Sequence, residues 1–187
     1  EKTGIKPLGK ELSTQRGANS TSIDSFMIGK KHNGDKVLIL IEWKYTESYS
    51  PNSLLISDSG KNRFEVYQEL LERPDSPIKT ADFKDLFYEP YYQLMRQTLL
   101  GWTMIENKEY GAVDWLHLHI IPNENKELRE RITSKNLQGK TLEESWKLQL
   151  KNPEKYIVIS PEKFLEPIAD LQDTKSLIDY LTNRYWK

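Results

Sequence analysis

Asp24, Glu42 and Lys44 have the types and the spacing for phosphoryl chemistry. Mg²⁺ takes hard oxygen ligands and keeps several waters, so one or two carboxylates beside a substrate phosphate are enough to hold it. A cation held there polarises a phosphoryl oxygen and acidifies a bound water. A neighbouring lysine, its ammonium disfavoured by burial and by the cation, orients or deprotonates that water and stabilises developing negative charge.

These side chains must be brought together by the segment from Ser22 to Tyr45, which reads as strand, turn, strand. Ser25 to Gly29 comes first, then a turn from Lys30 to Lys36 around Asn33-Gly34, then the apolar run Val37 to Ile41. So apolar a run predicts a central strand buried on both faces. Alternation puts Leu38, Leu40, Glu42 and Lys44 on one face, and Val37, Ile39, Ile41, Trp43 and Tyr45 on the other. An acid and a base therefore enter the core face of a buried strand. Ions so placed need a partner, a metal or a task to offset their desolvation.

Loop length decides whether Asp24 joins them. If the loop is His32-Asn33-Gly34, with glycine at the left-handed position, Lys31 pairs with Asp35 and Asp24 falls opposite Glu42, on the same face. A loop of Asn33-Gly34 alone would turn Asp24 toward Trp43 on the other face unless a bulge intervened.

An acidic residue followed in the next strand by "IEWKY" resembles the PD-(D/E)XK nuclease superfamily. The stretch "TSIDSFMIG…VLILIEWKYTESY" is similar to a bacterial group of restriction endonucleases. The resemblance covers Thr21 to Tyr49, and Ile23 stands where the superfamily's name has proline. It implies a Mg²⁺- or Mn²⁺-dependent phosphodiesterase with Asp24 and Glu42 as metal ligands, the Trp43 backbone carbonyl as a third, and Lys44 as the catalytic lysine. It also implies a restriction-endonuclease-like α/β core, with a mixed, mainly antiparallel sheet flanked by helices. A helix ahead of the aspartate often belongs to this fold, sometimes with another glutamate, which makes Glu11 an auxiliary candidate. DNA rather than RNA is the implied substrate, with a restriction or defence role and a homodimer open by the same analogy.

An acid, any residue, then lysine recurs at Asp82 to Lys84, Glu106 to Lys108, Glu124 to Lys126 and Asp173 to Lys175, as expected in a chain that is 29% charged. None of these ends an apolar strand. Only Glu42 to Lys44 has both the strand and an upstream acid in a facing one.

At 187 residues and 37% hydrophobic, the chain suits one domain with its own core, 1–187, trimmed from a longer parent if Glu1 is not the natural start. No stretch approaches a membrane span and no signal peptide is visible. The absence of cysteine excludes disulfides, thiolate metal sites and cysteine nucleophiles, and suits the cytoplasm. The formal charge of -1 argues against a strong positive field for nucleic acid. Local patches remain open at Lys30, Lys31, His32 and Lys36 and at Arg129, Arg131, Lys135 and Lys140, each read equally well as a solvated face.

Downstream, Ser48 to Asn62 reads as a loop beside the active strand, and Phe64 to Arg73 as a helix stopped by Pro74. Pro90 starts a helix to about Glu106 with Tyr91, Leu94, Met95, Thr98, Trp102 and Ile105 as its core stripe. Gln93 and Gln97 share a flank with Arg96 nearby, and Gln93 is an auxiliary candidate because a helix after the lysine strand often brings polar residues to such sites. Ala112 to Ile121 reads as a strand whose His117 and His119 share one face. A polar face explains them more simply than a metal, for want of a third ligand. Thr141 to Lys151 and Pro161 to Leu171 predict helices around the strand Tyr156 to Ser160, and Ser176 to Tyr185 a last helix. Tyr180, Tyr185 and Trp186 read as packing residues before base-stacking ones.

These features together lead to the expectation of a metal-dependent nuclease. Two alternatives stand beside it: a nuclease-fold binding module without activity, and a metal phosphoesterase for a small substrate.

Overall fold

The computed structural model describes residues 5–12 and 20–185. The apolar run becomes β2 (Lys36–Trp43), flanked by β1 (Ser25–Lys30) and β3 (Asp114–Ile120), with β4 (Tyr156–Ile159) beyond β3. β1 runs antiparallel to β2, whereas β3 is parallel to β2 and β4 parallel to β3. The result is the expected mixed α/β sheet flanked by helices, consistent with a restriction-endonuclease-like core. Its balance differs from the mainly antiparallel expectation, because only β1 and β2 are joined by a tight turn. The other connections carry helices, and helical crossovers return the chain parallel.

The helices are α1 (Phe64–Leu71), α2 (Tyr91–Glu106), α3 (Lys126–Glu130), α4 (Leu142–Leu148), α5 (Pro161–Leu165) and α6 (Lys175–Tyr185). α1 stops two residues before the predicted Arg73. The helix predicted over 161–171 breaks after α5 into a 3-10 turn, Glu166–Ile168, because Pro167 has no N–H to continue it. α3 was not anticipated; Asn125 caps it by accepting the Leu128 N–H at 3.1 Å.

α2 is the element that matters for the site. Tyr91, Leu94, Met95 and Thr98 are buried as its stripe predicts, while Trp102 and Ile105 are half-buried. Gly101 lets the helix settle on the sheet: a Cβ there would lie 3.0 Å from Leu40 Cδ1 and 3.2 Å from the Trp115 ring. α2 therefore covers the face carrying Leu38, Leu40 and Glu42. On the opposite face Ile41 is buried and Val37, Ile39 and Trp43 are half-buried, Trp43 meeting Phe164 of α5 edge-on at 5.4 Å. Among the described residues no helix is long and apolar enough to cross a membrane.

The basic cluster at the hairpin tip is structural in part. Lys31 pairs with Asp114 at 2.7 Å, and Lys36 Nζ donates to the Tyr110 carbonyl at 3.2 Å. The tip lies at the other end of β2 from Glu42, about 20 Å away at strand rise. Arg129 donates to the Pro122 carbonyl at 3.2 Å, and Arg131 pairs with Glu127 at 2.9 Å. α6 buries none of its residues, and Tyr180 and Tyr185 lie at the surface instead of packing as expected. From this helix Tyr185 meets Tyr45, 5.3 Å between ring centres. Trp186 lies outside the described residues.

Candidate active site

The hairpin has the loop that convergence requires. Lys31 N–H donates to the Asp35 carbonyl at 2.8 Å, leaving His32, Asn33 and Gly34 as the connection, with Gly34 at φ 93°. The ladder runs from Lys30 opposite Lys36 to Ser25 opposite Ile41, and one step further brings Asp24 to Glu42. Two bonds fix that step: Asp24 N–H donates to Glu42 Oε2 at 3.3 Å, and Trp43 N–H donates to Asp24 Oδ2 at 2.9 Å. Asp24 itself is exposed.

Glu42 and Lys44 are both buried, 3% and 8% exposed, on the α2 side of the sheet. Lys44 Nζ sits 2.9 Å from Glu42 Oε1. From α2, Gln93 donates to Glu42 Oε1 at 2.7 Å and Gln97 to Oε2 at 2.8 Å. Four donors thus converge on one carboxylate, which is how a buried charge is tolerated. Burial pushes the Glu42 carboxyl above its usual range, with Lys44 opposing and Asp24 reinforcing. Burial works against the Lys44 ammonium too, but the Glu42 carboxylate outweighs it and holds the lysine above its ordinary value. Lys44 is therefore a charged donor here, suited to orienting a water or an oxyanion.

Sequence reasoning singled out Gln93 and passed over Gln97, although both hold Glu42. Their helical spacing of four was the available signal. Glu89, at the foot of α2, was missed altogether. It accepts the Gln93 N–H at 3.2 Å, and burial raises its carboxyl while Arg96 and Lys44 pull the other way. Tyr49 is likewise raised by burial, with Lys44 lowering it and Glu89 raising it. Nothing in local sequence marks Glu89, because its place depends on how α2 docks.

Glu11 lies behind the site. It accepts from Thr21 N–H at 2.8 Å, from the Thr21 hydroxyl and from the Tyr67 hydroxyl at 2.8 Å, with Arg96 at 3.6 Å. Arg96 Nε also donates to Thr21 Oγ1 at 2.9 Å. Glu11 thereby anchors the stretch that carries Asp24. Residues 13–19, between Glu11 and this stretch, lie outside the described residues. Among the described residues no three Asp, Glu or His side chains gather closely enough to hold a cation by themselves. Asp24 and Glu42 form a two-carboxylate arrangement, with Glu11 outside it.

His117 and His119 do not form the polar surface face expected of them. They are 0% and 1% exposed, on the α2 side, with His119 in register beside Glu42. Their rings are nearly parallel, 17° and 6.1 Å apart, so their nitrogens do not converge on one ion. His119 Nδ1 pairs with the Tyr156 hydroxyl at 2.8 Å, while neither nitrogen of His117 has a partner among the described residues. Burial lowers His117 to about 3.

A family model described as "Restriction Endonuclease associating with ARP" matches residues 1–186. Comparison with curated proteins and with solved structures gives no significant match.

Proposed function

This chain belongs to the family described as restriction endonuclease associating with ARP, and on that premise we propose that it is a metal-dependent nuclease of the PD-(D/E)XK kind, cutting phosphodiester bonds in DNA. The observation that carries the reading is the meeting of Asp24 and Glu42 across the end of the β1–β2 hairpin, with Lys44 at 2.9 Å from Glu42.

The residues fit Mg²⁺ or Mn²⁺. Asp24 is exposed and its Oδ1 makes no hydrogen bond among the described residues, which leaves a carboxylate oxygen open to a cation. The Trp43 N–H points to the Asp24 side, and in an extended strand the carbonyl of the same residue points the same way. Glu42 would add an oxygen by releasing its longest contact, the Asp24 N–H at 3.3 Å. When bound, the ion would polarise the scissile phosphoryl group and acidify a water. Asp24, Glu42 and the Trp43 carbonyl hold it, Gln93 and Gln97 fix Glu42, and Lys44 positions the attacking water and donates to the developing charge.

Exposure of Asp24 at an open strand end favours a polymer over a small substrate. One observation favours the binding-module alternative: Glu42 is already satisfied by four donors, as a structural carboxylate would be.

Cleavage of plasmid and linear DNA, single- and double-stranded, with Mg²⁺ or Mn²⁺, beside a Lys44→Ala variant, tests the reading. Metal-dependent cutting lost in the variant is expected. Two folded proteins that cut nothing would reject it and bring the binding module forward.

A further inference from the structure

Beside the carboxylates lies a cavity of about 580 Å³ to which the reading so far gives no task. Its size falls within the roughly 300–1,000 Å³ of small-molecule sites. One wall is a small hairpin closed by the Ile56–Asn62 bridge and by Ser57 N–H on the Lys61 carbonyl at 2.9 Å. The other is the first turns of α2.

The groups that line it are unequal in what they leave free. Arg63 and Arg96 both lie over the Tyr92 ring, 5.9 and 5.2 Å from its centre. Arg63 commits one nitrogen to the Leu54 carbonyl at 2.7 Å, whereas Arg96 commits Nε to Thr21 and faces Glu11 through Nη2 at 3.6 Å, so Arg63 is the freer of the two forks. Lys61, on the hairpin, has no ion pair among the described residues. Of the acids on the wall, Glu11 is engaged by Thr21, Tyr67 and Arg96, Glu89 is raised by burial, and Asp58 lies exposed on the hairpin. Two fixed guanidinium forks match a phosphate far better than any neutral ligand. Tyr67 and Tyr92, edge to face at 6.1 Å and both buried, form the floor on which the guanidinium groups rest.

The cavity is linked to the site by hydrogen bonds along α2. Glu89 lines it and holds the Gln93 N–H, and the Gln93 side chain holds Glu42. One turn of α2, about 5.4 Å of rise, separates the two.

We propose that this cavity is a subsite for nucleotide phosphate, in which Arg63, Arg96 and Lys61 take a phosphate of the strand flanking the scissile bond. The assignment rests on the nuclease reading for its place in the reaction, but it is tested apart from cutting.

The full chain, free of metal, is titrated calorimetrically with a deoxynucleoside 5′-monophosphate, the parent nucleoside and inorganic phosphate. The monophosphate and inorganic phosphate are both expected to bind, at least about tenfold more tightly than the nucleoside. Arg63→Gln is expected to weaken monophosphate binding about tenfold or more, and the surface change Lys61→Ala severalfold, with unchanged melting in the latter. Nucleoside binding as tight as that of the monophosphate would overturn the subsite, as would monophosphate binding indifferent to both substitutions. If the wild type cuts DNA yet binds no monophosphate, the subsite falls and the nuclease stands. If Arg63-dependent binding occurs without cutting by any protein, the nucleotide site stands and the nuclease reading falls.

Discussion

Gln97 ties Glu42 to the start of the hairpin: its one amide nitrogen donates to the Glu42 carboxylate at 2.8 Å and to the Ser22 carbonyl at 3.2 Å. The helix thereby fixes both halves of the carboxylate pair, since Ser22 lies just ahead of Asp24. Replacing either glutamine by leucine removes a donor to a buried carboxylate. Outer ligands of this sort are worth about 10–100-fold in metal affinity or activity. Gln97→Leu is expected to cost more than Gln93→Leu, because it also frees Ser22. Metal titration followed by cleavage assay checks the order, and equal or negligible losses would refute it.

The loop sets the register, so shortening it is a test of geometry that leaves every site residue in place. Deleting His32 leaves Asn33-Gly34 as a two-residue connection and turns Asp24 to the face of Trp43. Cleavage is expected to fall at least about a hundredfold, a loss of about 2.7 kcal/mol in transition-state stabilisation, with circular dichroism unchanged. Activity near wild type in a folded deletion variant would show that Asp24 is not a ligand.

His117 makes stability depend on pH. Burial holds it at about 3 in the folded chain, below its ordinary value of 6.5, so it stays neutral inside while the unfolded chain takes up a proton. A depressed folded value gives stability that is complete above the unfolded value and is lost as pH falls toward the folded one. The window is therefore about pH 6.5 down to 3, with a slope approaching 1.4 kcal/mol per pH unit for this histidine. Neither imidazole nitrogen has a partner among the described residues, so His117→Leu is expected to be neutral or stabilising at pH 8 and clearly stabilising at pH 5. Urea denaturation at the two pH values measures it; an equal effect at both would contradict the assignment.

Gly101 sets the distance between α2 and the sheet. A valine there would meet Leu40 and the Trp115 ring at contacts already 3.0 and 3.2 Å from a bare Cβ. Gly101→Val is expected to destabilise the fold by about 2 kcal/mol, and to lower cleavage beyond what unfolding explains, as Gln93 and Gln97 lift from Glu42. Thermal melts beside single-turnover rates separate the two effects.

Much of the site was legible before the fold. Periodicity of two placed Leu38, Leu40, Glu42 and Lys44 on one face, and the Asn33-Gly34 turn narrowed the place of Asp24 to two registers, of which the structure has the three-residue loop. These are local properties: strand pleat and turn geometry are settled by neighbours in sequence. The same holds for α2, whose stripe and start at Pro90 are written in a few turns of helix. The mixed sheet was legible as well, though not its balance of directions, because strand direction follows from the path of crossovers many residues long.

What the sequence left open was set by docking. Gln97, Glu11 and Arg96 acquire their partners from residues 10 to more than 70 positions away, and beyond the spacing of four between Gln93 and Gln97 no local pattern distinguishes these or Glu89 from exposed polar side chains. His117 and His119 alternate as a polar strand face would, yet α2 covers them, because the face they share with Leu38 and Leu40 is the one the helix buries. The sequence by itself determined which side chains share a face and an end of the hairpin, since covalent geometry repeats every two residues. Only the tertiary structure decided which distant donors close on Glu42, since those contacts depend on how α2 packs through Gly101 against β2 and β3.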